Sequence, residues 1–174
     1  MLTDASTRCD HLDNRHDGRT TVVLHPVIAR PDTRETQPVN EQQTVSLADA
    51  KRVLAAGEAQ ATEIGQPMNI AVVDAGGNLV AHVRMDGAWL GSIDIAINKA
   101  YTARAFDLST ADLAEQAQPG QQFYGIAASN DNRIMIFAGG IPLQRDGRIV
   151  GAVGVSGGEG EQDQAVAEAA AAAL

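Results

Sequence analysis

The chain has 174 residues, enough for one domain with a sizeable buried core. Its formal net charge of −9 and the lack of any Lys/Arg-rich run argue against a nucleic-acid-binding face, and no run of 18 apolar residues offers a membrane span. Hydrophobic residues make up 44% of the chain but aromatics only 3%, so the core has to be built from Ala, Val, Ile and Leu, and cores of such small residues often lean on subunit contacts.

Residues 1–44 stand apart from the rest. They hold three of the four histidines (His11, His16, His25) and three of the six prolines, and they show no helical periodicity. One β-prone run, Thr20 to Ile28, is interrupted by Pro26 and suits an edge strand at best. This segment reads as an arm, either flexible or wrapped on a neighbouring subunit, where His25 would reach a pocket in trans. The histidine spacing is too irregular to specify a metal site. The N-terminus lacks the apolar stretch of a secretory signal, and the single cysteine, Cys9, has no internal disulfide partner. A soluble cytoplasmic protein is expected.

The folded domain is expected over residues 45–174. Ser46-Leu-Ala-Asp49 has the character of a capping box, and Leu47, Ala50, Leu54, Ala61 and Ile64 recur at the spacing of an amphipathic helix that Gly65 and Pro67 end. Two β-prone runs, Asn69–Asp74 and Asn78–Met85, flank Ala75-Gly76-Gly77; the link is too short for a crossover, so they pair as an antiparallel hairpin. On the second run, Val80, His82 and Arg84 share a face. Ser92 is expected to cap a helix from Ile93 to about Phe106. Along it, Ala96, Ala100 and Ala103 form a small-residue seam, and Ser92, Ile95, Lys99, Thr102 and Phe106 form a neighbouring stripe. Ser109 caps a short third helix ended by Pro119-Gly120. Arg133–Ala138, Gly140–Gln144 and Arg148–Val155 read as three more strands. Glu161–Leu174 reads as an alanine-rich helix with Glu161 and Asp163 as acids in its first turn. The order is α-β-β-α-α-β-β-β-α, which predicts an α+β fold: a five-stranded antiparallel sheet flanked by helices.

Seven glycines fall between Gly139 and Gly158. No phosphate-loop pattern is present, and Gly151 and Gly154 lie inside a strand, where a dinucleotide fingerprint does not belong. Asp146-Gly147 instead marks a tight hairpin turn. The ends of the stretch, Gly139-Gly140 and Ser156-Gly157-Gly158, fall at one edge of the sheet, where glycine lets a ligand or another backbone approach closely. Ser156 to Gly158 also precede a helix N-terminus, which favours an anion.

Three long stretches, Val72–Ala88, Ser92–Phe106 and Gly139–Asp163, occur in the order found in the GlcG/HbpS family of haem-binding and haem-degrading-type domains, also seen as the C-terminal domain of PduO-type proteins. From about Ser46 to its end the chain resembles that family. The resemblance implies a profilin-like α/β/α arrangement around a five-stranded antiparallel sheet, a homo-oligomer that is often an octamer, and haem or iron as a ligand of some members. It fixes fold better than activity.

Two readings of the site stay open. In the first, haem or iron is bound with His82 as the metal contact, and Lys99 and Arg84 hold ligand carboxylates at a pocket lined by Thr102, Phe106, Gly139, Gly140, Ser156 and Gly157; Tyr101, Tyr124 and Met85 are the other possible iron ligands. Arg84 suits bidentate carboxylate binding, and Lys99, if partly buried, suits a proton-transfer role. In the second, a cofactor-independent enzyme or binder acts on a small carboxylate metabolite of a catabolic pathway. It uses Lys99, Arg84 and Asp86 for anchoring and proton transfer and the amides of Ser156–Gly158 as an oxyanion site. An oligomeric accessory protein with no ligand is a third possibility. No Ser-His-Asp order, paired-carboxylate site or zinc spacing is readable.

Overall fold

The computed structural model describes residues 42–174. Cys9, His11, His16, His25 and the Thr20–Ile28 run lie outside the described residues, as does nearly all of the expected arm. The elements are α1 (Leu47–Glu63), β1 (Asn69–Asp74), β2 (Leu79–Arg84), α2 (Ser92–Phe106), α3 (Thr110–Gln116), two single 3₁₀ turns (Ile126–Ala128 and Asn130–Asn132), β3 (Gly140–Arg145), β4 (Arg148–Ser156) and α4 (Gly160–Ala171).

Ser46 starts α1 as the sequence predicts. Its hydroxyl accepts from the Asp49 amide at 3.1 Å, while the Asp49 carboxylate accepts from the Ser46 amide at 2.9 Å. The first hairpin turns on Asp74, whose Oδ1 accepts from the amides of Gly76 and Asn78, each at 2.8 Å. The second turns on Asp146 and Gly147, both at positive φ (52° and 73°), as a two-residue hairpin requires. The strands form one antiparallel sheet in the order β2-β1-β4-β3.

Because β1 and β4 are central, both of their faces are buried, and alternate residues feed two cores. Ile70 and Val72 join Val153 and Val155 beneath α1 and α4; Ala71, Val73 and Ala152 meet Ala96, Ala100 and Ala103 of α2 on the other face. The result is three layers, α1 with α4, the sheet, then α2. The second core, alanine apart from Val73, is thin, and Gly154 makes it thinner: a Cβ there would fall inside contact distance of the Ala96 carbonyl and the Ala100 amide. Glycine is required at 154 because α2 rests on the strand itself.

The sheet has four strands, not five. The expected strand Arg133–Ala138 is absent because Asn130, Asp131 and Asn132 all take left-handed φ (51°, 57° and 60°), which turns the chain onto α2. There the Met135 amide donates to Thr102 Oγ1 at 3.0 Å instead of to a ladder. One helix start differs from expectation: Ser92 is the first residue of α2, with Gly91 as an N-cap that offers no side-chain bond. At α4, Glu161 and Asp163 stand in the first turn as expected, and the N-cap is Glu159, whose amide donates to Gln162 Oε1 at 2.9 Å. Among the described residues, no helix is long and apolar enough to cross a membrane.

Candidate functional site

Lys99, in the middle of α2, is wholly buried. Its Nζ donates to Asp163 Oδ2 at 2.7 Å and to the Val155 carbonyl at 2.9 Å, and it lies 4.3 Å from the centre of the Phe137 ring. The other oxygen of Asp163, Oδ1, accepts from the amides of Gly157 (3.1 Å) and Gly158 (3.0 Å). A cation and two glycine amides thus converge on a carboxylate, as the sequence predicts for a ligand. The carboxylate they hold is the protein's own. Burial presses the Lys99 ammonium below the ordinary lysine range, against the hydrogen bond and charge of Asp163, which raise it.

The glycines around this pair serve close packing of the chain on itself. Gly139 has φ 113°, and a Cβ there would press on the Val155 carbonyl, Asp163 Cβ and Lys99 Nζ. Gly140 leaves room for Thr110, whose hydroxyl accepts from the Gly140 amide at 2.9 Å, and for the Lys99 carbonyl. Thr102 donates to the Asn98 carbonyl at 2.7 Å, and Phe106 is half-buried at the end of α2. A hollow of about 450 Å³ opens between Ala138 and the outer side of α4. It is lined by Ala138, Gly160, Glu161, Gln164, Ala165 and Glu168, none of them a residue that the sequence singled out as a ligand contact.

His82 and Arg84 sit away from this cluster. They lie on the outer strand β2, opposite Ala71 and Asn69 of β1, so they share the face that α2 packs on. That helix lies mainly over β4 and β1 and leaves β2 largely uncovered on that face. His82 Nε2 is out of water yet has no hydrogen-bond partner. Burial, and secondarily the charge of Arg84, hold the imidazole below its ordinary pKa of 6.5, so it is neutral near pH 7. Arg84 is exposed and has no acid partner among the described residues. Asp86 is exposed in the turn after β2, which continues to Trp89 and Leu90, 66% and 73% exposed. β1 lies between Arg84 and β4, whose Val155 carbonyl holds Lys99, and Lys99 is buried while Arg84 is exposed.

Two residues of these clusters went unread in the sequence. Asp163 carried a helix-start signal and nothing that pointed 64 positions back to Lys99. Asn69, wholly buried on β1 between Arg84 and Ser156, looked like an ordinary strand boundary.

Residues 45–172 match the family described as haem-degrading protein HbpS-like. The chain is 47% identical over 127 residues to an uncharacterized 15.0 kDa protein of the dhaT-dhaS intergenic region of Citrobacter freundii, which covers 73% of this chain and 89% of that one. It is 35% identical over 144 residues to the corrinoid adenosyltransferase PduO of Salmonella typhimurium LT2, covering 83% of this chain but only 42% of PduO. Among solved structures, the PduOC:heme complex superposes with a TM-score of 0.73 at 35% identity, over 75% of this chain and 95% of that one. HbpS superposes with a TM-score of 0.70 at 29% identity, over 78% and 94%. With the layered fold, the three sequence stretches and these matches in agreement, the chain belongs to the HbpS-like family.

Proposed function

We propose that this protein binds haem, with His82 as the iron contact and Arg84 holding a propionate. The observation that carries this reading is the solved haem complex of PduOC, 35% identical to this chain across three quarters of its length. The residues fit the group. A histidine that ligates iron does so as a neutral imidazole with a free ring nitrogen, and His82 offers Nε2 unpartnered and a depressed pKa. A propionate needs a fork of donors near water, and Arg84 provides one on the same face of β2. Leu79, half exposed on that strand, and the neighbouring Trp89 and Leu90 supply apolar surface for a macrocycle. When bound, haem supplies a redox-active iron; the chain supplies the nitrogen, the guanidinium and the apolar wall.

Lys99 enters this reading through the fold rather than the ligand, since its ammonium is committed to Asp163. The exposed Trp89 and Leu90 also favour a homo-oligomer, which analytical ultracentrifugation of the full chain tests. The binding test is a haemin titration followed by absorption. The full chain gives a saturable Soret shift at one haem per chain, His82→Ala abolishes it and Arg84→Gln weakens it. An unchanged Soret band in the unmutated protein ends the proposal.

A further inference from the structure

Asn69 has no exposed surface, yet its side chain makes a single hydrogen bond, from Nδ2 to the Trp89 carbonyl at 3.0 Å. A carbonyl partner fixes the nitrogen at that end. Oδ1 is therefore an acceptor, and it is buried with no donor. Native proteins rarely leave such an atom unmet, and each instance asks for a reason.

The surroundings of Asn69 supply one. Its cross-strand neighbours are Arg84 on one side and Ser156 on the other, all on the face that α2 packs on. The Trp89 carbonyl it holds also accepts from the amide of Ser92, so Asn69 rests against the first turn of α2. That 15-residue helix begins without a side-chain cap. Arg84 favours a negative group, whereas the first amides of α2, those of Ser92 and Ile93, already donate to the Trp89 and Leu90 carbonyls. Asn69 Oδ1 asks for an N–H or O–H. A ligand that meets both carries an anion for Arg84 and an O–H or N–H for Asn69 Oδ1; the smallest carboxylates that carry such a donor have it on the carbon next to the carboxylate. The turn beside the site carries Trp89 and Leu90, which lie mostly in water, and Asn69 holds it through the Trp89 carbonyl alongside the Ser92 and Ile93 amides.

We propose that this chain has a binding site for a small 2-hydroxy or 2-amino carboxylate. Arg84 holds the carboxylate, Asn69 Oδ1 accepts from the hydroxyl or amine, and the Trp89 turn lies beside both. The site does not depend on haem, although the two ligands would share Arg84.

The test uses the full-length, haem-free protein and four probes of similar size: lactate, alanine, propanoate and inorganic phosphate. Melting temperature and calorimetric titration are the readouts. Lactate or alanine raises the melting temperature, and which of them does so names the donor; propanoate, which lacks the donor, binds at least tenfold more weakly. Arg84→Gln, at an exposed position, weakens the active probe tenfold or more without lowering the melting temperature of the free protein. Asn69→Leu removes the preference over propanoate; should that variant not fold, the Arg84→Gln and propanoate arms still decide. Equal binding of propanoate, binding of phosphate alone, or no response to any probe overturns the proposal. Probe binding without a haemin Soret shift refutes only the haem reading, and the reverse refutes only this one.

Discussion

Replacing Lys99 by Met is the sharpest test of how the two helical layers are joined. Met matches the length of the lysine stem but leaves the Asp163 carboxylate buried, with only the Gly157 and Gly158 amides for company. Breaking one side of a buried ion pair costs about 3–5 kcal/mol. For a domain of this size about 3 °C of melting temperature is lost per kcal/mol, so Lys99→Met should melt about 10–15 °C lower. Asp163→Asn keeps an oxygen for the two amides but strands the buried ammonium, and should cost a similar amount. The double variant removes both charges, retains the amide contacts and so should lose less than either single variant. The assay is a denaturant or thermal melt of all four proteins, read as a double-mutant cycle. If Lys99→Met costs under about 1 kcal/mol, or the two losses simply add, the Lys99–Asp163 pair does not join α2 to α4 energetically.

Gly154→Ala places a methyl group against the Ala96 carbonyl and the Ala100 amide, so α2 must lift from the sheet; expression with loss of cooperative melting is expected, and a melt within 2–3 °C of the parent, about 1 kcal/mol, would contradict the packing. The Asp49 carboxylate is held far below its ordinary value of 3.8, first by Arg145 and then by Ser46. A depressed native pKa means that its stabilising contribution is full above about pH 4 and is lost as pH falls further, so Asp49→Asn should flatten the acid limb of a melting curve taken from pH 5 to pH 3. His82 is likewise depressed, by burial and by Arg84, so it resists protonation in the fold. Stability should fall as pH drops through 6.5, and His82→Ala should remove part of that slope; an NMR titration giving a pKa above 6.5 refutes it.

Much of the fold was legible because its signals are local. The Ser46 and Ser109 caps, the Asp-Gly hairpin and the alanine seam of α2 each depend on residues within a turn or two of one another, and each stands where the sequence predicts. The absent fifth strand shows the limit. Arg133–Ala138 has strand-like residues, but three preceding left-handed residues and the Thr102 hydroxyl turn it onto α2, and neither effect is visible as periodicity. The site was harder to read for the same reason. A lysine, a glycine pair and a helix start looked like an anion site in the sequence, and the atoms do assemble one, but its anion is Asp163 from the same chain. Electrostatic complementarity could be inferred from the residue types. Whether a ligand or a distant side chain satisfies it is a tertiary fact. The unpaired atoms of Asn69 and His82 are the inverse case, since an unmet hydrogen bond has no sequence signature at all.

The most direct test of the central claim is resonance Raman spectroscopy of the ferrous haem complex. A nitrogen of His82 on the iron predicts an iron–histidine stretching band in the unmutated protein that is missing in His82→Ala and returns when imidazole is added. The same band at full strength in His82→Ala would show that another side chain holds the iron.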